Sequence, residues 1–217
     1  MTKAEKLNTL FDQWATEFPE YKNNFHKDGI VNETYYNKAK KKVLFIMKEP
    51  NSPGHSNWTF QQLWEKGLKY LFSYRLADWG YGIMYDFPVY KNLESDRKAR
   101  NEALWSVSLI NLKKSGGGSR SRNNEIYEHF RKNKTNILLE IQIIGPEVIV
   151  IGTGSWKIRE ELFDKKDFVE LANDTYIGKW KNIVIIDFYH ASVRKESSWL
   201  YEELSKVFHS KEFMMLQ

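Results

Sequence analysis

Three side chains with complementary chemistry stand at the ends of apolar runs. Glu49 follows Val43 to Met47, five apolar residues in a row, within Lys42-Lys-Val-Leu-Phe-Ile-Met-Lys-Glu-Pro-Asn51. Asn111 ends Trp105-Ser-Val-Ser-Leu-Ile-Asn111, and His190 follows Asn182-Ile-Val-Ile-Ile186 within Asp187-Phe-Tyr-His190. A carboxylate can hold a water or stabilise a developing cation. A planar amide offers a donor and an acceptor together. An imidazole can give or take a proton near neutral pH. Two further features accompany them: the turn Gly152-Thr-Gly-Ser155 and a glycine- and arginine-rich loop, Gly116 to Arg122.

These groups meet only if the runs carrying them are parallel strands. A short continuous apolar run suits a strand buried on both faces. Val43–Met47, 105–111, 147–151 and 182–186 all read this way. Lys48-Glu-Pro-Asn-Ser-Pro53-Gly54 must be a loop, because two prolines and a glycine continue neither strand nor helix. Between the strands the spacing predicts helices. Leu7, Leu10, Phe11 and Trp14 mark one over 4–18, stopped by Pro19. A second opens at Thr59-Phe60, with Thr59 as cap, and runs through Leu63, Trp64, Leu68, Leu71 and Phe72. A short one fits 97–104. A long one fits 123–144, ended by Gly145-Pro146. Others follow the Gly152 turn as far as Phe163 and span 197–208. Residues 20–41, 78–96 and 164–182 show no clear periodicity and read as loop-like.

Alternating strands and helices predict an α/β fold: a three-layer α-β-α sandwich around a central, mainly parallel four-stranded sheet. In such sheets ligands bind at the carboxyl ends of the strands. All four ends then carry their polar residues to one edge. The 217 residues fit a single domain, with 1–41 as an N-terminal helical and loop extension.

Composition narrows the function classes. A hydrophobic content of 41% is enough for a core, and 15% aromatic content argues against disorder. With no cysteine, disulfides, thiolate zinc sites and cysteine-bound iron–sulfur clusters are excluded. That fits a reducing compartment, and a cytoplasmic location is expected. No stretch approaches the ~20 apolar residues of a membrane span. His26, His55, His129 and His209 are scattered without ligand spacing, so no metal is expected. The net charge of +5 permits a polyanionic partner.

The constellation resembles the uracil-DNA glycosylase superfamily across roughly residues 40–208. In that family the first strand ends in an acid or amide directly before a proline, as in Glu49-Pro50. The base-reading asparagine ends the next core strand, as in Ser108-Leu-Ile-Asn111. A basic stretch, an arginine loop, a long helix and a Pro-x-Val-Ile-x-x-Gly strand follow. Lys113-Lys114, Arg120 and Arg122, the 123–144 helix and Pro146-Glu-Val-Ile-Val-Ile-Gly152 keep that order. The last strand leads to a His-Pro-Ser motif, here His190-Ala191-Ser192. Departures are Met47 for the usual glycine, Glu49 for Asp or Asn, Asn51 for tyrosine or glycine, and Ala191 for proline.

The resemblance implies a cluster-free, cofactor-free DNA glycosylase acting as a monomer on DNA. Glu49 and His190 would be catalytic. Glu49 would hold the water and favour the sugar cation, and His190 would donate to the departing base. Asn111 would read a pyrimidine edge that pairs a carbonyl with an N–H, a pattern cytosine lacks, with Asn51 beside it. A flipped base needs an aromatic platform, either Phe60 or Trp58. Val193 and Arg194 would fill the vacated stack. Lys48, Ser52, Lys113, Lys114, Arg120, Arg122 and Ser192 would contact phosphates. Plainer roles remain open for each: a solvated loop acid, a strand-ending amide, a packed histidine, core aromatics. Two other functions also remain open. One is a non-catalytic nucleic-acid-binding relative; the other is an enzyme of free nucleosides that uses the Gly152 turn.

Overall fold

Val43–Met47 is buried at every position, as an apolar run between two packed layers requires. Its alternate residues serve different cores. Val43, Phe45 and Met47 join Leu109, Val150 and Ile186 on one face. Leu44 and Ile46 join Ile110, Ile149 and Ile185 on the other. A computed structural model describes the whole chain except residues 22, 53–57, 119, 166 and 217. The expected turn at Pro53-Gly54 lies outside the described residues.

In chain order the elements are α1 (Lys3–Glu17), a 3-10 turn (Pro19–Tyr21), β1 (Gly29–Ile30), α2 (Glu33–Lys38), β2 (Val43–Met47), α3 (Phe60–Trp64), α4 (Leu71–Tyr85), α5 (Tyr90–Ser95), α6 (Arg97–Trp105) and β3 (Ser108–Asn111). There follow α7 (Asn123–Ile144), β4 (Val148–Ile151), α8 (Trp156–Phe163), β5 (Val169–Glu170), β6 (Tyr176–Trp180), β7 (Ile183–Asp187), α9 (Ser197–Phe208) and α10 (Lys211–Met214). The fold is α/β, with a seven-stranded mixed sheet in the order β1-β3-β2-β4-β7-β6-β5.

The central strands β3, β2, β4 and β7 are mutually parallel. Three antiparallel edge strands extend them, so the expected four-stranded sheet is larger than the apolar runs indicated. The added strands are short or partly exposed. β5 is exposed at both positions, and β6 carries Lys179 and Trp180 half-buried. Polar edge strands of this kind lack the apolar run that marks a buried one. Residues 164–182 are therefore mainly a β5–β6 hairpin rather than loop. Residues 1–41, expected as an extension, are built into the domain: α1 packs on α7, and β1 pairs with β3.

The expected second helix is two helices. Gly67 breaks it at φ +87°, a conformation that favours glycine, while Asn101 Oδ1 accepts from Leu68 N–H at 2.9 Å. The chain then restarts as α4, most of whose residues are buried. Residues 78–96, expected as loop, are largely α4 and α5. Gly80 and Gly82 are close-packing positions inside α4. A Cβ at Gly80 would lie 2.6 Å from Val107 Cγ1, and one at Gly82 would lie 2.5 Å from the Phe87 ring.

Candidate functional site

Parallel strands deliver their last residues to one edge, and there the backbone continues the sheet past its formal end. Leu112 N–H donates to Met47 O and Lys113 N–H to Lys48 O, both at 3.0 Å. Gly117 N–H donates to Pro50 O at 2.9 Å, and Ser52 N–H to Gly117 O at 3.1 Å. Asn51 and Gly117 form a parallel bridge. The acid–proline loop and the glycine loop thus lie side by side. They approach so closely that a Cβ at Gly117 would collide with the Glu49 carboxylate, and one at Gly116 with Ser52 O. Glycine is the residue this approach admits.

Beneath that ribbon the Glu49 side chain is 5% exposed. Lys113 Nζ lies 2.8 Å from its Oε2 and 2.7 Å from Glu125 Oε1 at the start of α7. Burial alone would lower the Lys113 pKa, but hydrogen bonds to Glu125 and Glu49 outweigh it and the pKa is raised. Lys113 is therefore an ion-pair partner of Glu49 rather than the exposed phosphate contact expected.

His190 stands at the neighbouring strand end. A Cβ at Gly152 would lie 3.1 Å from its Cα, so the Gly152 turn is the space the histidine segment occupies. Its Nδ1 accepts from Ser192 N–H at 3.1 Å. Nδ1 then carries the lone pair, and the neutral ring holds its proton on Nε2. Burial, aided by the nearby Lys48 charge, pushes its pKa down to about 4. Lys48 also feels Glu49, which opposes the lowering that burial imposes on the lysine itself. Lys48 is thus within electrostatic reach of both groups, and its Nζ donates to Asn123 Oδ1 at 3.0 Å.

Arg75 on α4 holds the loop after His190. Its guanidinium donates to Ala191 O at 2.9 Å, Val193 O at 2.7 Å and Ser197 Oγ at 3.0 Å, and also to Lys195 O. Ala191 is fully buried, while Ser192 and Arg194 are exposed and Val193 is half-buried.

Asn111 is almost fully buried at the end of β3. Asp28 Oδ2 accepts from its main-chain N–H at 2.7 Å and from its Nδ2 at 3.3 Å. Asp28 Oδ1 is paired with Lys114 Nζ at 2.5 Å, and Lys114 also meets Glu140 Oε2 at 2.7 Å. Lys114 has no exposed side-chain surface, so the expected phosphate contact does not hold for it.

The aromatic platform is also placed differently. Phe60 is 5% exposed and packs edge-on between Trp58 and Trp64. Trp58 is half-buried, against His26, with its Nε1–H on Ser52 Oγ. Ser52 is buried as well. Phe60 is a core residue here, and Trp58 and Ser52 form part of the wall. The ring wall continues through Trp64 to Phe72, whose centroid is 6.0 Å from that of His190. Phe72 is half-buried and is the aromatic beside the imidazole. Of the expected surface groups, Asn51, Arg120 and Arg122 are exposed.

Sequence reading missed Asp28, Arg75, Phe72 and Glu125 as parts of this edge. The 20–41 segment gave no periodic signal, Phe72 read as an ordinary helix position, and Arg75 lies just past the helix that the spacing marks. Among the described residues no three His, Asp or Glu side chains cluster as a metal-ligand set, and no helix is long and apolar enough to cross a membrane. No protein-family model matches the chain, and no curated protein matches it.

Proposed function

We propose that this chain is a DNA glycosylase that hydrolyses the N-glycosidic bond of uracil or a related deaminated base, with a uracil-DNA glycosylase-like site. The observation that carries the reading is one sheet edge holding a carboxylate and a neutral imidazole, both within electrostatic reach of Lys48, with a fixed amide at the adjoining strand end. Breaking the C1′–N1 bond leaves electrons on the base and positive charge on the sugar. Glu49 faces the sugar side, favours that cation and takes a proton from the attacking water. His190 offers Nε2–H to the base oxygen that gains charge. A neutral donor suits this role, since it leaves no buried cation behind in the resting site. Asn111 reads the base edge and Phe72 stacks on the ring. Arg120, Arg122 and Arg194 contact phosphates. The reaction needs the Gly116–Gly117 ribbon to lift from Glu49.

A second reading draws on that same cover. A carboxylate buried under glycines and neutralised by Lys113 also fits a non-catalytic nucleic-acid-binding protein. Base release from single- and double-stranded oligonucleotides carrying uracil, hypoxanthine or xanthine decides between them. The glycosylase reading expects release by the native chain, and Glu49→Gln and His190→Ala each to slow it ~10²–10³-fold. Salt-sensitive binding with no release from any substrate would establish the second reading instead.

A further inference from the structure

Asp28, Lys114 and Glu140 come from three distant segments, yet all three side chains are completely buried. A buried ion pair is a weak device for stability, because desolvation offsets most of the attraction. What this cluster supplies, beyond packing, is a fixed acceptor beside Asn111. Resting on the glycosylase reading, we infer that Asp28 and Lys114 are positioning residues that set which hydrogen-bond pattern Asn111 presents to a base.

The chemistry settles the amide orientation. An ionised carboxylate only accepts, so the Asn111 atom facing Asp28 Oδ2 at 3.3 Å is Nδ2 and never Oδ1. The second bond to the same oxygen, from Asn111 N–H at 2.7 Å, ties that choice to the end of β3. Lys114 Nζ pairs with the other oxygen, Asp28 Oδ1, at 2.5 Å, which holds the carboxylate in place. The same cation faces the Asp28 carboxylate and a second carboxyl, that of Glu140. Burial, reinforced by the Asp28 charge and opposed by Lys114, raises its pKa well above the ordinary range. The amide then has one N–H and its carbonyl left, in fixed positions. A uracil edge, with a carbonyl next to an N–H, matches that pair. A cytosine edge, with an amino group next to a bare nitrogen, needs the amide turned over.

Two measurements test this. In the native protein, one of the two Asn111 Nδ2 protons should exchange with solvent more slowly than the other, observed on the ¹⁵N-labelled side chain. In Asp28→Asn, whose new amide can donate as well as accept, that asymmetry should vanish. The same variant should lose preference for uracil over cytosine by about tenfold or more, since a site that fixes hydrogen-bonding groups rejects the wrong edge strongly. Base release from paired uracil- and cytosine-bearing single-stranded oligonucleotides reads this, in a variant shown to be folded by its thermal transition. Equal exchange of both native protons overturns the inference even if Asp28→Asn fails to fold. So does a folded variant with unchanged preference. If the native chain releases no base but the asymmetry is present and Asp28-dependent, the positioning stands and the glycosylase reading fails.

Discussion

At the residue scale the most informative side chain is His190. Its pKa of about 4 lies below the ordinary histidine value of 6.5 because burial and Lys48 penalise the cation. Between those values the unfolded chain binds a proton that the folded chain does not. Stability should therefore fall as pH drops from 6.5 towards 4 and lose nothing further through His190 below that. Two-dimensional NMR of the imidazole nitrogens should show a midpoint near 4, with the proton on Nε2 throughout the neutral range. A midpoint near 6.5 would remove the neutral-donor role. Glu49, Asn111 and His190 were legible in the sequence because each ends an apolar run. Their immediate partners were not. Nothing in the order of residues says that Lys113 turns inward to Glu49 while Arg120 and Arg122 stay exposed. Adjacent basic residues look alike until the buried acids are located. Asp28 was hidden for the same reason: it lies in a segment without periodicity, and its importance comes wholly from what folds against it.

Elements with strong periodicity were legible nearly to the residue, including α7, α8 and α9. The second half of α4 was hidden because its glycines and lack of periodicity read as loop, although the space around those glycines is filled by neighbouring side chains. A helix built this way should resist enlargement. Gly82→Ala puts a methyl group into the Phe87 ring, and overpacking of that kind costs about 1–3 kcal/mol. A thermal melt should show a loss of about 2–4 °C per kcal/mol for a chain of this size. If Gly82→Ala were neutral or stabilising, the ring would be free to move and the helix less tightly seated than described. α4 also supports the site through Arg75, whose four contacts hold the backbone carrying Ala191 to Ser197. α4, whose second half reads as loop in the sequence, thus braces the His190 loop from its first half.

For the whole molecule, the net charge of +5 acts through its placement. Lys114 and Lys113 are sequestered by acids, and the exposed cations near this edge include Arg120, Arg122, Arg194 and Lys195. DNA affinity should fall linearly with the logarithm of salt concentration. Replacing both Arg120 and Arg122 by Ser should reduce the slope by about 2, one per phosphate contact. An unchanged slope in a fluorescence-anisotropy salt series would place the nucleic-acid face elsewhere. The sheet order places β2 and β4, both wholly apolar and buried, side by side near the centre, and the apolar pattern marked both as strands. The antiparallel margins were not so marked, because strands as short as β1 and β5 are recruited by edges that only the folded sheet creates.

The extension of β2 and β3 beyond the sheet has a consequence for how this molecule can change over generations. The two loops are joined by peptide groups, from Leu112 on Met47 to Ser52 on Gly117. Every residue except proline carries the donor and acceptor that such joins need. The frame around Glu49 is therefore indifferent to most side chains that project from it, Gly116 and Gly117 excepted. Exposed Asn51 and the neighbouring arginines can be exchanged while the clamp persists, so the outward surface is open to new ligands without the fold being rebuilt.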